Sequence, residues 1–145
     1  MKSLEELSID DGDLDNDSLN DDVMARCISS LAACTSMRCL GLKTFDFGIN
    51  SCAALSANFL RMTRLQRLTF QRNSINDECV EVLVRGLAEC KHLHLLSLSD
   101  NMIGDDGFET LIQGLPKSVV HTNLSSNHIT LARQLPLLRF KELYL

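Results

Sequence analysis

The sequence predicts an α/β solenoid, a stack of short strands each followed by a helix. Two observations carry that prediction. The first is a constant offset: Leu65, Leu68, Phe70, Asn73 and Ile75 return, in the same spacing, as Leu93, Leu96, Leu98, Asn101 and Ile103. The second is a change of period inside each unit. Leu68-Thr69-Phe70-Gln71 alternates apolar and polar, as a half-buried strand does. Asp77 to Leu87 then sets Cys79, Val80, Leu83, Val84 and Leu87 on one helical face. No such unit can bury both its strand and its helix alone, and stacking supplies the missing surface.

Taken in order, the first strand is expected over Leu4, Leu7 and Ile9, followed by Leu14, with Gly12 in the asparagine slot. It lies further ahead of the second strand than the period allows, so extra residues are inserted before the first helix. A competing register puts Ile9, Leu14, Asp17 and Leu19 in phase, but Leu4 to Ile9 is the better strand. The second copy carries Met37, Leu40, Leu42 and Phe47, with Phe45 where the others have Asn. The fifth carries Val119, Thr122, Leu124, Asn127 and Ile129 after a slightly shorter interval, and Phe140, Leu143 and Leu145 open another. Helical faces are expected over Val23 to Leu31, Ala53 to Leu60 and Phe108 to Leu115. In the first of these, Leu19, Val23, Cys27 and Leu31 keep the repeat phase. Asp77 and Asp105 precede helices and are expected to cap their first turns. Gly86 and Gly114 either keep a tightly packed side small or loosen a final turn. Asn73, Asn101 and Asn127 mark the bend after each strand, where an amide side chain bonds backbone groups the turn leaves unpaired.

The spacing L-x-x-L-x-L-x-x-N-x-I-x-D-x-G-x-x-x-L-x-x-x-L, here Leu93 to Leu115 with Asp105 and Gly107 in place, resembles the ribonuclease-inhibitor type of leucine-rich repeat. Leu65 to Leu87 matches except that Cys79 replaces Gly. The resemblance covers nearly the whole chain, in two strong copies and four degraded or partial ones. It implies a horseshoe arc with parallel strands on the concave face and helices on the convex face. The family includes cytosolic inhibitors, the sensing regions of innate immune receptors, Ran GTPase-activating proteins and many scaffolds, so it specifies fold far better than function. The expected organisation is one domain over residues 1–145, about five repeats plus the start of a sixth. Neither end has an obvious polar cap. That suggests a fragment of a longer repeat protein, a subunit covered by neighbours or self-association, with an irregular cap as the alternative.

Composition narrows the function classes. A chain of 145 residues, 45% hydrophobic, can hold one continuous core. It has neither a long apolar run, a secretory signal nor a lipidation motif, so no membrane role and a cytoplasmic location are expected. Cys27, Cys34, Cys39, Cys52, Cys79 and Cys90 form no C-x-x-C pair, and a reducing interior fits them better than disulfides. Cys27, Cys52 and Cys79 are expected to serve as small buried apolar residues. The net charge of −5 argues against nucleic acid as the main partner. Seven Asp residues crowd positions 10–22. They superficially match a calcium loop, but Asn16 stands at its sixth position and Asp22 at its twelfth, so a solvated acidic loop is the better reading and contact with a basic partner the next.

Catalysis finds little support. His121 and His128 lie near Ser125 and Ser126 without an acid–base–nucleophile arrangement, and of His92 and His94 at most one should point outward. No cofactor or metal is expected. The candidate working surface is instead the row of strand residues facing away from the core. It runs from acidic at Glu6 and Asp10, through basic at Lys43, Arg67 and Arg72, to mostly neutral. Its candidate partner-binding residues are Lys43, Arg67, Thr69, Gln71, Arg72, Ser97, Ser99, Asp100, Asn123 and Tyr144. A mixed surface of this kind steers a protein partner of complementary charge. The leading expectation is a non-enzymatic protein-interaction module using its concave strands. A structural subunit or scaffold segment comes second, and a regulatory component of a GTPase or other enzyme third.

Overall fold

The computed structural model describes residues 4–12, 20–130 and 140–145. Leu14 and Leu19, with Asp13, Asp15 and Asp17 of the aspartate-rich run, lie outside the described residues. The strands are β1 (Glu6–Asp10), β2 (Cys39–Lys43), β3 (Arg67–Thr69), β4 (Leu95–Ser97), β5 (His121–Asn123) and β6 (Glu142–Tyr144). They form one parallel sheet in chain order. Helices α1 (Asp21–Ser29), α2 (Ile49–Phe59), α3 (Asp77–Leu87) and α4 (Asp105–Gly114) alternate with them, each packed on the next. This is an α/β solenoid.

Register explains the core. Leu7, Leu40, Leu68, Leu96, Thr122 and Leu143 stand side by side across the sheet. From Leu40 to Thr122 they are buried, as are the facing helix residues Leu55, Leu83 and Leu111. Burying each such leucine stabilises the fold by about 1.5–3 kcal/mol relative to exposure. Thr122 takes a leucine's place, and its buried hydroxyl has no hydrogen-bond partner among the described residues. The pairing of Glu6 with Cys39 and Leu7 with Leu40 places the irregular length after β1, as the insertion register expects.

The asparagines fasten turns across repeats. Asn73 accepts from the Phe45 N–H and donates to the Leu42 carbonyl. Asn101 accepts from the Asn73 and Ile75 N–H groups and donates to Phe70, Leu98 and Ser99 carbonyls. Asn127 accepts from Ile103 and donates to Leu98 and Leu124. Each therefore reaches back into the preceding coil. The residue just before each turn position is left-handed: Thr44, Arg72, Asp100 and Ser126 all have φ between 54° and 65°. Ser74 shares that conformation, with φ 58°.

The helix ends correct one expectation. Asp77 and Asp105 do not cap their own helices. Asn76 caps α3 by accepting from the Cys79 N–H, and Asn20 caps α1 by accepting from Val23. The aspartates reach forward instead. Asp21 accepts from the N–H groups of Gly48, Asn50 and Ser51, Asp77 from that of Gly104, and Asp105 from the N–H and hydroxyl of Thr130. At the starts of α2 and α4, such a carboxylate sits at the helix's positive end and does a cap's work from outside. The helix preceding α3 has Ile49 in that slot, so α3 relies on its own Asn76.

Two helices begin or face differently from the sequence pattern. Along α1, Met24 and Ile28 are buried while Cys27 is exposed, so the face is turned by one residue from that expected. Among the described helices α1 packs on α2, and Asp21 bonds the α2 N-terminus. The second helix starts at Ile49, ahead of the expected Ala53, and Ser51 and Cys52 join its buried face. Gly86 decides in favour of close packing: a Cβ there would lie 2.8 Å from the Ser56 Cα on α2. Among the described residues no helix is long and apolar enough to cross a membrane.

Candidate functional site: the open strand face

Helices and core cover one face of the sheet, and among the described residues no element covers the other. Pleating points alternate residues that way. One row reads Glu6, Cys39, Arg67, Leu95, His121, Glu142, and the next Ser8, Gly41, Thr69, Ser97, Asn123, Tyr144. A third begins with the pair Asp10 and Lys43. These are the rows the alternation predicts.

Some charges at this face are already engaged. Lys43 pairs with Asp10 at 2.9 Å, and the Thr44 hydroxyl donates to the same carboxylate at 2.8 Å. Those two bonds, Lys43's first, hold the Asp10 carboxyl below its usual range despite some desolvation. His121 Nδ1 lies 3.3 Å from Glu142, and Arg38 reaches Glu5 at 3.8 Å. Arg67 and Arg72 are exposed, and neither side chain makes an ion pair or hydrogen bond to the described residues.

The remaining candidates separate by burial. Thr69, Gln71 and Asn123 are half-buried, whereas Asp100 and Tyr144 are exposed. Asn123 turns its carbonyl to the N–H and hydroxyl of Ser125. Ser97 faces outward by register, yet it and Ser99 are only 6% and 3% exposed, so their neighbours leave little of them to touch. His92 and His94 are both exposed, because they precede β4 in a turn where strand alternation does not hold.

Hollows break the described surface. One of about 440 Å³ opens over Gly41, between Glu6 and Ser8 on one side and Arg67 and Thr69 on the other. Another, about 430 Å³, lies at the rim between Asp10, Lys43, Thr44 and Arg72. A further one, about 450 Å³, joins Arg67 to His94, Leu95, His121 and Glu142. The structure thus brings Arg67 and Thr69 together and Lys43 and Arg72 together. Sequence reasoning passed over Gly41 as a feature. Its signal was a glycine inside a strand, which marks a place of close approach.

All six cysteines are free thiols. Cys52 and Cys79 face one another between α2 and α3. Cys52 keeps its proton, pushed up by its hydrogen bond to Cys79 and by burial. The Cys79 thiol is brought down to about 7, chiefly by that bond. Burial pushes Cys90 up to about 12. Among the described residues no group of three His, Cys, Asp or Glu side chains is placed to hold a metal.

No family model matches the chain, and no curated protein matches it. Among solved structures it is similar to an internalin from Listeria monocytogenes, at 17% identity and a TM-score of 0.35, over 79% of this chain and 49% of that one. The chain therefore spans about half the length of that relative. A likeness at this level carries no argument, and the fold assignment stands on the strand register and core described above.

Proposed function

We propose that this chain is a protein-binding module of the leucine-rich repeat class, of ribonuclease-inhibitor type, that works through its open strand face without a chemical step. One observation carries the reading: a six-stranded sheet has one face sealed by helices and the other left open, with side chains that change from unit to unit. A helix after each of the first four strands, the repeat length shared by the two strongest copies and the Asp105-x-Gly107 spacing favour the ribonuclease-inhibitor type. Capture of partners from the native source, identified by mass spectrometry, tests the face. Gln71→Trp and Leu95→Trp on the strand face should abolish capture, while Glu81→Trp on α3 should leave it intact. The opposite pattern, with folding unchanged, sinks the reading.

A second reading has its own support. The outermost strands leave Leu4 and Ile9 exposed at one end and Tyr144 and Leu145 at the other, which suits a segment held by its ends within an assembly. A solution molar mass above the 16.2 kDa protomer that falls with Ile9→Lys would favour it.

A further inference from the structure

Arg67 and Arg72 carry a sharper statement about the partner, one that rests on the strand-face reading. We propose that the segment docking there is an extended acidic stretch of protein, whose carboxylates pair with these two arginines. Among the described residues, the ion pairs at or beside this face use other cations: Arg38 with Glu5, Lys43 with Asp10 and His121 with Glu142. The two guanidiniums on β3 and its rim are left over, and both are exposed. Arg67 walls the hollow over Gly41 across from Glu6, and Arg72 walls the rim hollow beside the Asp10–Lys43 pair.

Their separation sets the form of the partner. Arg67 opens β3 and Arg72 stands five residues on, beyond the strand's end at a left-handed bend, so their backbones lie at most about 16 Å apart. An extended segment spans that gap with acidic residues four to six positions apart. Between the arginines the floor is neutral, made by Thr69 and Gln71 and by Gly41, over which the Thr69 and Ser8 side chains close. Guanidinium and carboxylate match in a bidentate geometry, which a hydrated surface point charge does not supply. The net charge of −5 makes this preference diagnostic, because the field of the whole molecule repels acidic ligands and only local cations can reverse that. A phosphate backbone fits less well. It needs a continuous cationic track and stacking rings, and this face offers two separated arginines and one exposed tyrosine two strands beyond β4.

The experiment is selection from a phage-displayed random dodecapeptide library, run on wild type, on Arg67→Gln/Arg72→Asn and on Leu95→Trp. Asparagine tolerates the left-handed backbone at position 72, so the double variant removes charge without strain. Equal urea midpoints confirm that it folds. Wild type should enrich peptides with paired Asp or Glu four to six positions apart, and the double variant should lose that enrichment. Binding of a selected peptide should weaken about fivefold to tenfold per arginine removed, with Arg67→Lys/Arg72→Lys intermediate. Enrichment of neutral or basic peptides, no enrichment, or acidic peptides retained by the double variant overturns the proposal. So does a labelled single-stranded oligonucleotide that binds wild type and not the double variant. Peptides that ignore the arginines yet are lost with Leu95→Trp overturn only the acidic partner. Peptides indifferent to Leu95→Trp overturn the strand face itself.

Discussion

Leu98 and Ile9 occupy the same position in different repeats, both just after the central strand leucine and both pointing toward the helices. Leu98 is 1% exposed and Ile9 is 44% exposed. The side chains are nearly equal in apolar area, so the difference lies in the neighbours. Leu98 has a coil on each side, an asparagine-fastened turn and a helix of its own repeat. Ile9 stands on the sheet's edge strand, with Gly12 rather than Asn in the turn slot. A repeat's interior belongs to the stack, and stability should be graded from the centre outward.

That gradient can be broken by substitution. Leu98→Ala should cost about 4 kcal/mol, as a buried leucine truncated in a packed interior does, while Ile9→Ala should cost less than about 1 kcal/mol. Urea titration measures both, and equal losses would erase the contrast. Asn101→Ala comes next, at about 3 kcal/mol, because it strands the buried N–H groups of Asn73 and Ile75 together with carbonyls of two repeats. Gly86→Ala should lose about 1 kcal/mol even though alanine favours helix, since the methyl group meets the α2 backbone. Gly114→Ala, which meets only the Val84 side chain, should lose less.

Asp21→Asn sharpens the comparison at the stack's first joint. Burial would raise the Asp21 carboxyl, but hydrogen bonds from the Ser51 hydroxyl and from Ser51, Asn50 and Gly48 N–H groups outweigh it and hold the acid below 3.8. A depressed acid contributes stability above its unfolded value and loses it as pH falls through the folded one. The gap between wild type and Asp21→Asn should therefore be constant from about pH 5 upward, at about 1 kcal/mol, and close below about pH 4. Circular dichroism melts across that range check the sign. The smallest perturbation is chemical: a thiol reagent should modify Cys27 on the terminal helix first and reach Cys52, Cys79 and Cys90 only on unfolding.

Strand positions and their register were legible in the sequence because burial there depends on a strict alternation that recurs in step from repeat to repeat. The phase of α1 was not: the helix starts in step with the others, at Asp21, yet it buries Met24 and Ile28 and leaves Cys27 exposed. The forward reach of Asp21, Asp77 and Asp105 was hidden because spacing within one repeat says nothing about bonds to the next. At the candidate site, alternation could put Ser97 in the outward row, but it could not say that neighbours would cover it and Ser99. Nor does any residue type announce the left-handed turn position, which here is held by Thr44, Arg72, Asp100 and Ser126 rather than by glycine.

Asn73, Asn101 and Asn127 tie their coils to the one before, and Asp21 and Asp77 tie their helices to the turn that opens the one after. Detaching coils from the C-terminal end strips amide ties from the turns they leave behind; detaching them from the N-terminal end strips carboxylates from the helices that follow. Only the second kind of tie carries a proton-sensitive charge. Acid should accordingly loosen this stack from its beginning toward its middle, so amide exchange at low pH would quicken first along α1 and the opening turn of α2 and reach the asparagine-bound turns last.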